Sequence, residues 1–262
     1  MSGVKSEPVL FERKGPHIAL VTINRPEARN AVNGDVAEGI EAIVETVEAD
    51  RDIRAVILTG AGGKVFSAGA DLKEVNAGNL DRLMRPGSGF AGLVYARRTK
   101  PWIAAVEGLA LAGGCELALA CDMIVASEGG AFGLPEVMRG LAAGAGGLYR
   151  LPRVLPRAIA IEMIVTADRL SSERAAEFGM VNRVVPAGET VAAALEIAEK
   201  IAGNAPLAVG ESLAIIKQAY DLSEPELAEL SYEAQERLRL TEDFKEGPLA
   251  FIEKRAPRWT GR

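Results

Sequence analysis

A helix pattern held between two strand patterns constrains this chain more than any other feature. The run DVAEGIEAIVETVEAD places Val36, Ile40, Ile43, Val44 and Val47 at helical steps with acids on the opposite face, the signature of an amphipathic helix. It lies between HIALVTI and AVILTG, short runs rich in β-branched residues that predict buried strands. A connection long enough to hold a helix lets its flanking strands pair in parallel. PWIAAVEG and DMIVAS repeat the strand signal, flanked by Gly, Pro or Asp. The predicted class is therefore α/β with largely parallel pairing.

After about Pro156 the pattern changes. PRAIAIEMIVTA, VAAALEIAEKIAGN, PLAVGESLAIIKQAYD and PELAELSYEAQERLRL all predict helices. Pro206 and Pro225 stand where a first-turn proline is tolerated, and Gly203-Asn204 supplies a stop before the next start. A chain of 262 residues accommodates one core plus one appendage. The stretch from Asn76 to Lys100 mixes turn residues with short apolar groups, and reads either as a mobile wall over a pocket or as an ordinary surface connection.

Composition removes several functions. With 36 acidic against 30 basic residues and a net charge of −6, no overall positive field exists to hold nucleic acid. Cys115 and Cys121 have no further Cys or paired His beside them and read as reduced core residues, with no metal site expected. No stretch approaches the roughly 18 apolar residues of a membrane span, and MSGVKSEPVLFERKG lacks an apolar signal segment. The expectation is a cytoplasmic protein with no membrane partner. His17, the one histidine, opens the run HIALVTI and reads as structural, so the chemistry must proceed without a histidine base.

Two carboxylates stand out. In EGLALAGGCELALACD, Glu116 follows Gly113-Gly114 inside an otherwise apolar run. Burying an unpaired carboxylate costs several kcal/mol or forces it to keep its proton, so Glu116 needs either a buried Arg partner or a chemical purpose. In AFGLPEVMRG, Glu136 follows Pro135, where an acid suits a helix first turn by its dipole alone. As a pair, the two could divide labour, one activating water while the other donates a proton. A Gly-Gly step entering a helix presents unpaired N–H groups, and Gly69 in FSAGADLKE permits a tight backbone that could bring a second N–H close, as an oxyanion hole requires.

The combination of GLALAGGCELALACD, FGLPEVMRGLAAGAGG and FSAGADLKE resembles the crotonase, or enoyl-CoA hydratase, family, and the likeness runs from HIALVTINRPEARNA to EGPLAFIEKRAPRW. The resemblance implies a spiral of ββα units over residues 1–195, carrying the site, and a helical region over 196–262 that assembles homotrimers, often paired as hexamers. It implies that the backbone N–H groups of Ala70 and Gly113 polarise a thioester carbonyl, and that Glu116 and Glu136 add water across the C2–C3 bond of a trans-2-enoyl-CoA, with no metal or redox cofactor. Coenzyme A, as part of the substrate, would be bound around Arg25, Arg29, Ala68, Asp71, Leu72, Lys73 and Gly114, with Phe251 and Lys254 reaching a neighbouring subunit's site. Ala112 stands in place of a frequent glycine, Ala143 in place of a proline, and Leu148-Tyr149 in place of a Thr-Gln pair. These departures leave the acyl group open, and the tail together with GSGFAGLVYARRTKPWIAAV resembles the carnitinyl-CoA dehydratase branch. An isomerase that only shifts the double bond, or a non-catalytic acyl-CoA-binding scaffold, are the alternatives. The loop 76–98, with Arg97 and Arg98, is expected to influence acyl selectivity.

Overall fold

A computed structural model of the chain describes residues 7–262; the first six residues, part of the N-terminal stretch read above as lacking a signal, lie outside them. β1 (Val9–Lys14) pairs antiparallel with β2 (Ile18–Ile23), and α1 (Gly34–Ala49) then crosses to β3 (Ala55–Gly60), which runs parallel to β2. The side chain of Asn33 accepts the Val36 N–H at 3.0 Å and so starts α1 with an N-cap. The helix buries Val36, Ala37, Ile40, Val44 and Val47, with Ile43 packed beside them. Each such side chain contributes about 1.5–3 kcal/mol when fully removed from water, so the apolar stripe and not helix propensity fixes the crossover.

From β3 onward the chain winds as a spiral. One turn lays down β3 and then β4 (Val65–Ser67), followed by α2 (Leu72–Asn76) and α3 (Leu80–Leu83). A ribbon of β5 (Met84–Arg85) and β6 (Gly89–Phe90) leads to the next turn, β7 (Trp102–Val106), β8 (Leu109–Leu111) and α4 (Gly113–Ala120). The third turn is β9 (Met123–Ser127), β10 (Ala131–Gly133) and a 3-10 helix over Pro135–Arg139. Then come α5 (Gly147–Val154), α6 (Arg157–Thr166), β11 (Leu170–Ser171), α7 (Ser172–Glu177) and β12 (Arg183–Val185). The larger sheet has the order β1-β2-β3-β7-β9-β12, and the smaller β11-β10-β8-β4. Each turn thus gives one strand to each sheet, and β4, β8 and β10 run parallel.

That arrangement is what makes a site. Ser67 is in register with Ala110, and Leu111 with Gly133, so the residues leaving the same end of three neighbouring strands are brought together. Those residues open the segments that the sequence singled out: Ala68–Leu72, Ala112–Glu116 and Leu134–Glu136.

The rest of the chain is helical, as expected: α8 (Thr190–Ala202), α9 (Pro206–Ile216), α10 (Glu224–Arg239) and α11 (Glu242–Ile252). α8 spans residues 195 and 196 and buries Ala193, Ala194, Ala198 and Ala202 against the larger sheet. Departure from the core comes at Gly203-Asn204, the stop legible in the sequence. α9 buries no residue, and Ile216, Tyr220, Tyr232 and Leu240 are exposed. No helix among the described residues is long and apolar enough to cross a membrane.

Candidate active site

Glu116 sits in the first turn of α4 and is 3% exposed. Of the two alternatives left by the sequence, a buried Arg partner or a chemical purpose, the first is not met: among the described residues no Lys or Arg forms an ion pair with it. What holds it is backbone. The Gly147 N–H, at the start of α5, donates to Glu116 Oε1 at 2.9 Å. These backbone contacts do not offset the loss of water, so burial pushes the Glu116 carboxyl up to about 7, with the Gly147 amide opposing the rise, the negative charge of Glu136 adding to it, and the Ala145 amide and Arg150 opposing it more weakly.

Glu136 begins no α-helix; it lies in the 3-10 helix after β10, with Pro135 at its start. It is half-buried, and its Oε2 is buried with no hydrogen-bond partner among the described residues. Burial raises its carboxyl above the usual range, against its own backbone N–H and Arg139. An unsatisfied buried acceptor costs about 1–3 kcal/mol, and such exceptions concentrate where a group must be ready for something else. Burial thus lifts both carboxyls above the ordinary carboxylate range, and the charge of Glu136 adds to the rise at Glu116.

The amides of Ala70 and Gly113 complete the picture. Val32 and Ala70 form an isolated parallel bridge in which Val32 N–H donates to Gly69 O and Asp71 N–H donates to Val32 O, both at 2.8 Å. That bridge uses the amides on either side and turns the Ala70 N–H away. Gly113 is the first residue of α4, where a helix has no internal acceptor for its N–H. Neither N–H finds an acceptor among the described residues. They are neighbours: a Cβ on Gly69, whose φ is +84°, would stand 2.6 Å from the Gly113 nitrogen, and one on Gly113 would stand 3.3 Å from Gly69 Cα. Glycine at both positions is what lets the two backbones close on one another.

The remaining expected site residues fall into groups. Arg25 is engaged, donating through Nη1 to Ala31 O at 2.6 Å and to Asp71 Oδ2 at 3.0 Å. Asp71 also caps α2. Arg29 and Lys73 are exposed and unpaired by carboxylates among the described residues, next to half-buried Ala68 and exposed Leu72. Gly114 is buried where a Cβ would lie 2.1 Å from Ser67 O, so its role in the fold is to let α4 press on β4. Phe251 (85% exposed) and Lys254 lie on α11 and just past it, with no hydrogen bond tying them to the carboxylates. His17 bonds Asp52 O at 2.7 Å through Nδ1 and is remote in role. Burial holds the Cys115 thiol far above its usual range, so it is no nucleophile. No group of three or more His, Cys, Asp or Glu among the described residues is placed to hold a metal.

The stretch 76–100 is mostly anchored. Leu83, Phe90, Ala91, Leu93 and Val94 are buried in the core, and the Phe90 ring would touch a Cβ on Gly113 at 2.6 Å. Arg98 turns inward, donating to Ala120 O at 2.5 Å at the end of α4 and stacking over Trp102. Gly147, Tyr95 and Arg150 are not singled out by the sequence; the glycine-rich AAGAGG that runs into α5 is the one signal that could have pointed to a backbone contact. An apolar cavity of about 270 Å³ lies elsewhere, among α9, α10 and α11, lined by Leu207, Leu238, Phe244 and Trp259, and neither carboxylate borders it.

A family model described as enoyl-CoA hydratase/isomerase matches residues 13–262. The chain is 41% identical over 251 residues to the short-chain-enoyl-CoA hydratase of Clostridium acetobutylicum, covering 94% of this chain and 95% of that protein. It is also 41% identical over 267 residues to the carnitinyl-CoA dehydratase of Salmonella typhi, covering 98% and 100%. The crystal structure of an enoyl-CoA hydratase from Mycobacterium tuberculosis H37Rv superposes with a TM-score of 0.94 at 45% identity, covering 98% of this chain and 100% of that one.

Proposed function

Since the chain belongs to the enoyl-CoA hydratase/isomerase family, we propose that it catalyses the reversible syn addition of water to a trans-2-enoyl-CoA, giving a 3-hydroxyacyl-CoA. One observation carries this reading. Two carboxyls whose pKa values burial raises stand within reach of one another's charge, and the fold also holds two adjacent amides that have no acceptor among the described residues.

In this reading the thioester oxygen accepts from the Ala70 and Gly113 N–H groups. Attack at C3 moves charge onto that oxygen as an enolate, and each preorganised donor is worth about 2.7–4 kcal/mol there. Glu116, oriented by Gly147, positions the water and takes up its proton. Glu136, through its unpartnered Oε2, exchanges a proton with C2. Adding water leaves the net oxidation level of the substrate unchanged, and the two N–H groups take the developing enolate charge, so the steps as proposed use neither a metal nor a redox group. Arg29 and Lys73 supply cations for the coenzyme A phosphates, with Arg25 held back by Asp71 as a scaffold for that segment.

Phe251 and Lys254 serve a neighbouring subunit's coenzyme A site in a trimer or dimer of trimers. The exposed apolar side chains of α9–α11 support that assembly, because patches of this kind mark interfaces. The protein works in the cytoplasm. Glu116 separates this reading from an isomerase, which needs one acid alone, and the unengaged amides separate it from an inert scaffold. The relatives named as carnitinyl-CoA dehydratases make a crotonobetainyl thioester a second substrate worth testing. The test is loss of the conjugated enoyl-thioester absorbance with crotonyl-, decenoyl- and crotonobetainyl-CoA, with products identified by mass. A hydrated product from at least one supports the reading; binding of all three without hydration refutes it.

A further inference from the structure

The segment between Glu136 and α5 passes back over Glu116 as residues 142–147, almost without side chains. Its amide face meets the carboxylate, with Gly147 N–H on Oε1 at 2.9 Å. Its carbonyl face is gripped from outside. Tyr95 Oη donates to Gly144 O at 3.0 Å, and Arg150 Nη1 donates to Ala145 O at 3.2 Å. Arg150 Nη2 reaches Val94 O at 2.5 Å, so one guanidinium ties the loop to the turn that carries Tyr95. The same guanidinium lies 5.7 Å from the Tyr95 ring centre and 5.3 Å from that of Tyr149.

Arg150 has no carboxylate partner in an ion pair among the described residues. A half-buried cation left without a counter-ion is costly, and its planar fork is suited to bonding carbonyls while stacked on aromatic rings. The glycines fit the same arrangement. A Cβ on Gly146 (φ +111°) would lie 2.2 Å from Arg150 Nη1, and one on Gly147 would lie 3.2 Å from Glu116 Oε1. The backbone alone therefore separates the cation from the carboxylate.

We propose that Arg150 and Tyr95 are positioning residues for Glu116, clamping the carbonyl face of residues 144–145 so that the amide face of the same loop stays on the carboxylate. The clamp rests on Glu116 having the water-orienting role given above. A loop of Gly and Ala residues has much backbone freedom to lose, and the Gly147 and Ala145 amides that lower the Glu116 pKa both belong to it, so a shift of the loop by an ångström would loosen the hold on the carboxylate. Charge acts as well. The groups facing Glu116 are Glu136 from the 3-10 helix, Arg150 from α5, Tyr95 from the turn before β7 and Cys115 from its own helix; of these Glu136 raises its pKa and Arg150 lowers it, while Tyr95 and Cys115 stay neutral, their pKa values pushed up by burial.

The test measures hydration against pH for Tyr95→Phe, Arg150→Lys, Arg150→Met and Glu116→Gln, each checked for a cooperative thermal transition. Arg150→Met is expected to move the acid limb of kcat/KM upward by about half a pH unit or more, since a nearby cation is lost, and to lower kcat about tenfold. Arg150→Lys keeps the charge without the two-carbonyl grip, so it should restore the limb and leave kcat low. Tyr95→Phe should lower kcat with KM and the limb unchanged, and it carries the test if Arg150→Met does not fold. Wild-type kcat and pH profile in the folded clamp variants, with Glu116→Gln inactive, overturn the clamp and leave the role of Glu116 standing. Activity surviving in Glu116→Gln overturns the reading beneath it.

Discussion

Gly69→Ala probes the junction on which the proposed oxyanion site depends. A methyl there would sit 2.6 Å from the Gly113 nitrogen, 3.0 Å from Ala112 Cβ and 3.1 Å from Leu111 O. The first contact falls about 0.8 Å short of the 3.4 Å at which ordinary contact begins, and its partner is backbone, so the 69–70 segment and the start of α4 must move apart. A separation of that size takes one N–H out of line with a bound oxygen, which costs about 2.7–4 kcal/mol in the transition state, or roughly 100- to 1,000-fold in kcat. The φ of +84° at Gly69 adds about 1–2 kcal/mol of strain to folding. Gly63→Ala separates the two effects, because Gly63 has φ +66° with nothing within 4 Å of the added methyl. Steady-state hydration and urea unfolding should show a stability loss of about 1–2 kcal/mol from φ strain in Gly63→Ala and a larger loss in Gly69→Ala, with kcat lost only in Gly69→Ala. A folded Gly69→Ala enzyme with kcat within about threefold of wild type would refute the reasoning.

Other consequences are open to equally direct checks. Ala112 holds φ +51° and ψ −130°, a region costly for any residue with a Cβ, so Ala112→Gly should stabilise the protein by about 1 kcal/mol in chemical denaturation. Glu116 has a folded pKa of about 7 against a reference of 4.5; its favourable contribution is therefore complete below about pH 4.5 and lost as pH rises through 7. Glu116→Gln should thus grow more stable than wild type over that window, levelling off at about 3 kcal/mol by pH 8, as urea midpoints at pH 5 and pH 8 would reveal. Replacing both Arg29 and Lys73 by Ala should raise KM for a CoA thioester several-fold more at low salt than at high salt, with kcat little changed.

Much of the core was legible because burial imposes periodicity. β2, β3, β7, β9 and α1 each carry a continuous or 3.6-spaced apolar pattern. The smaller sheet was not legible, since β4, β8 and β10 are three residues each, too short for any period to show; yet these are the strands that align the three site segments. Glu116 announced itself as a charge among apolar residues, but its actual partner could not be read from the sequence. A bond from a backbone amide 31 positions away leaves no mark on residue identity beyond a glycine. For the same reason Arg25 reads as a cation for the coenzyme A phosphates until Asp71 is placed against it, and nothing in the sequence signals that Arg98, expected to influence acyl selectivity, bonds Ala120 O at the end of α4.

The central claim is that Glu116 and Glu136 together move water onto the acyl chain. Single-turnover incubation of the best enoyl-CoA substrate in ¹⁸O-labelled water, with wild type, Glu116→Gln and Glu136→Gln, tests it most directly by mass analysis of the product. The account predicts one ¹⁸O in the 3-hydroxyacyl product of the wild type and a loss of at least about 1,000-fold in each variant. Label entering at a near-wild-type rate in either folded variant would contradict it.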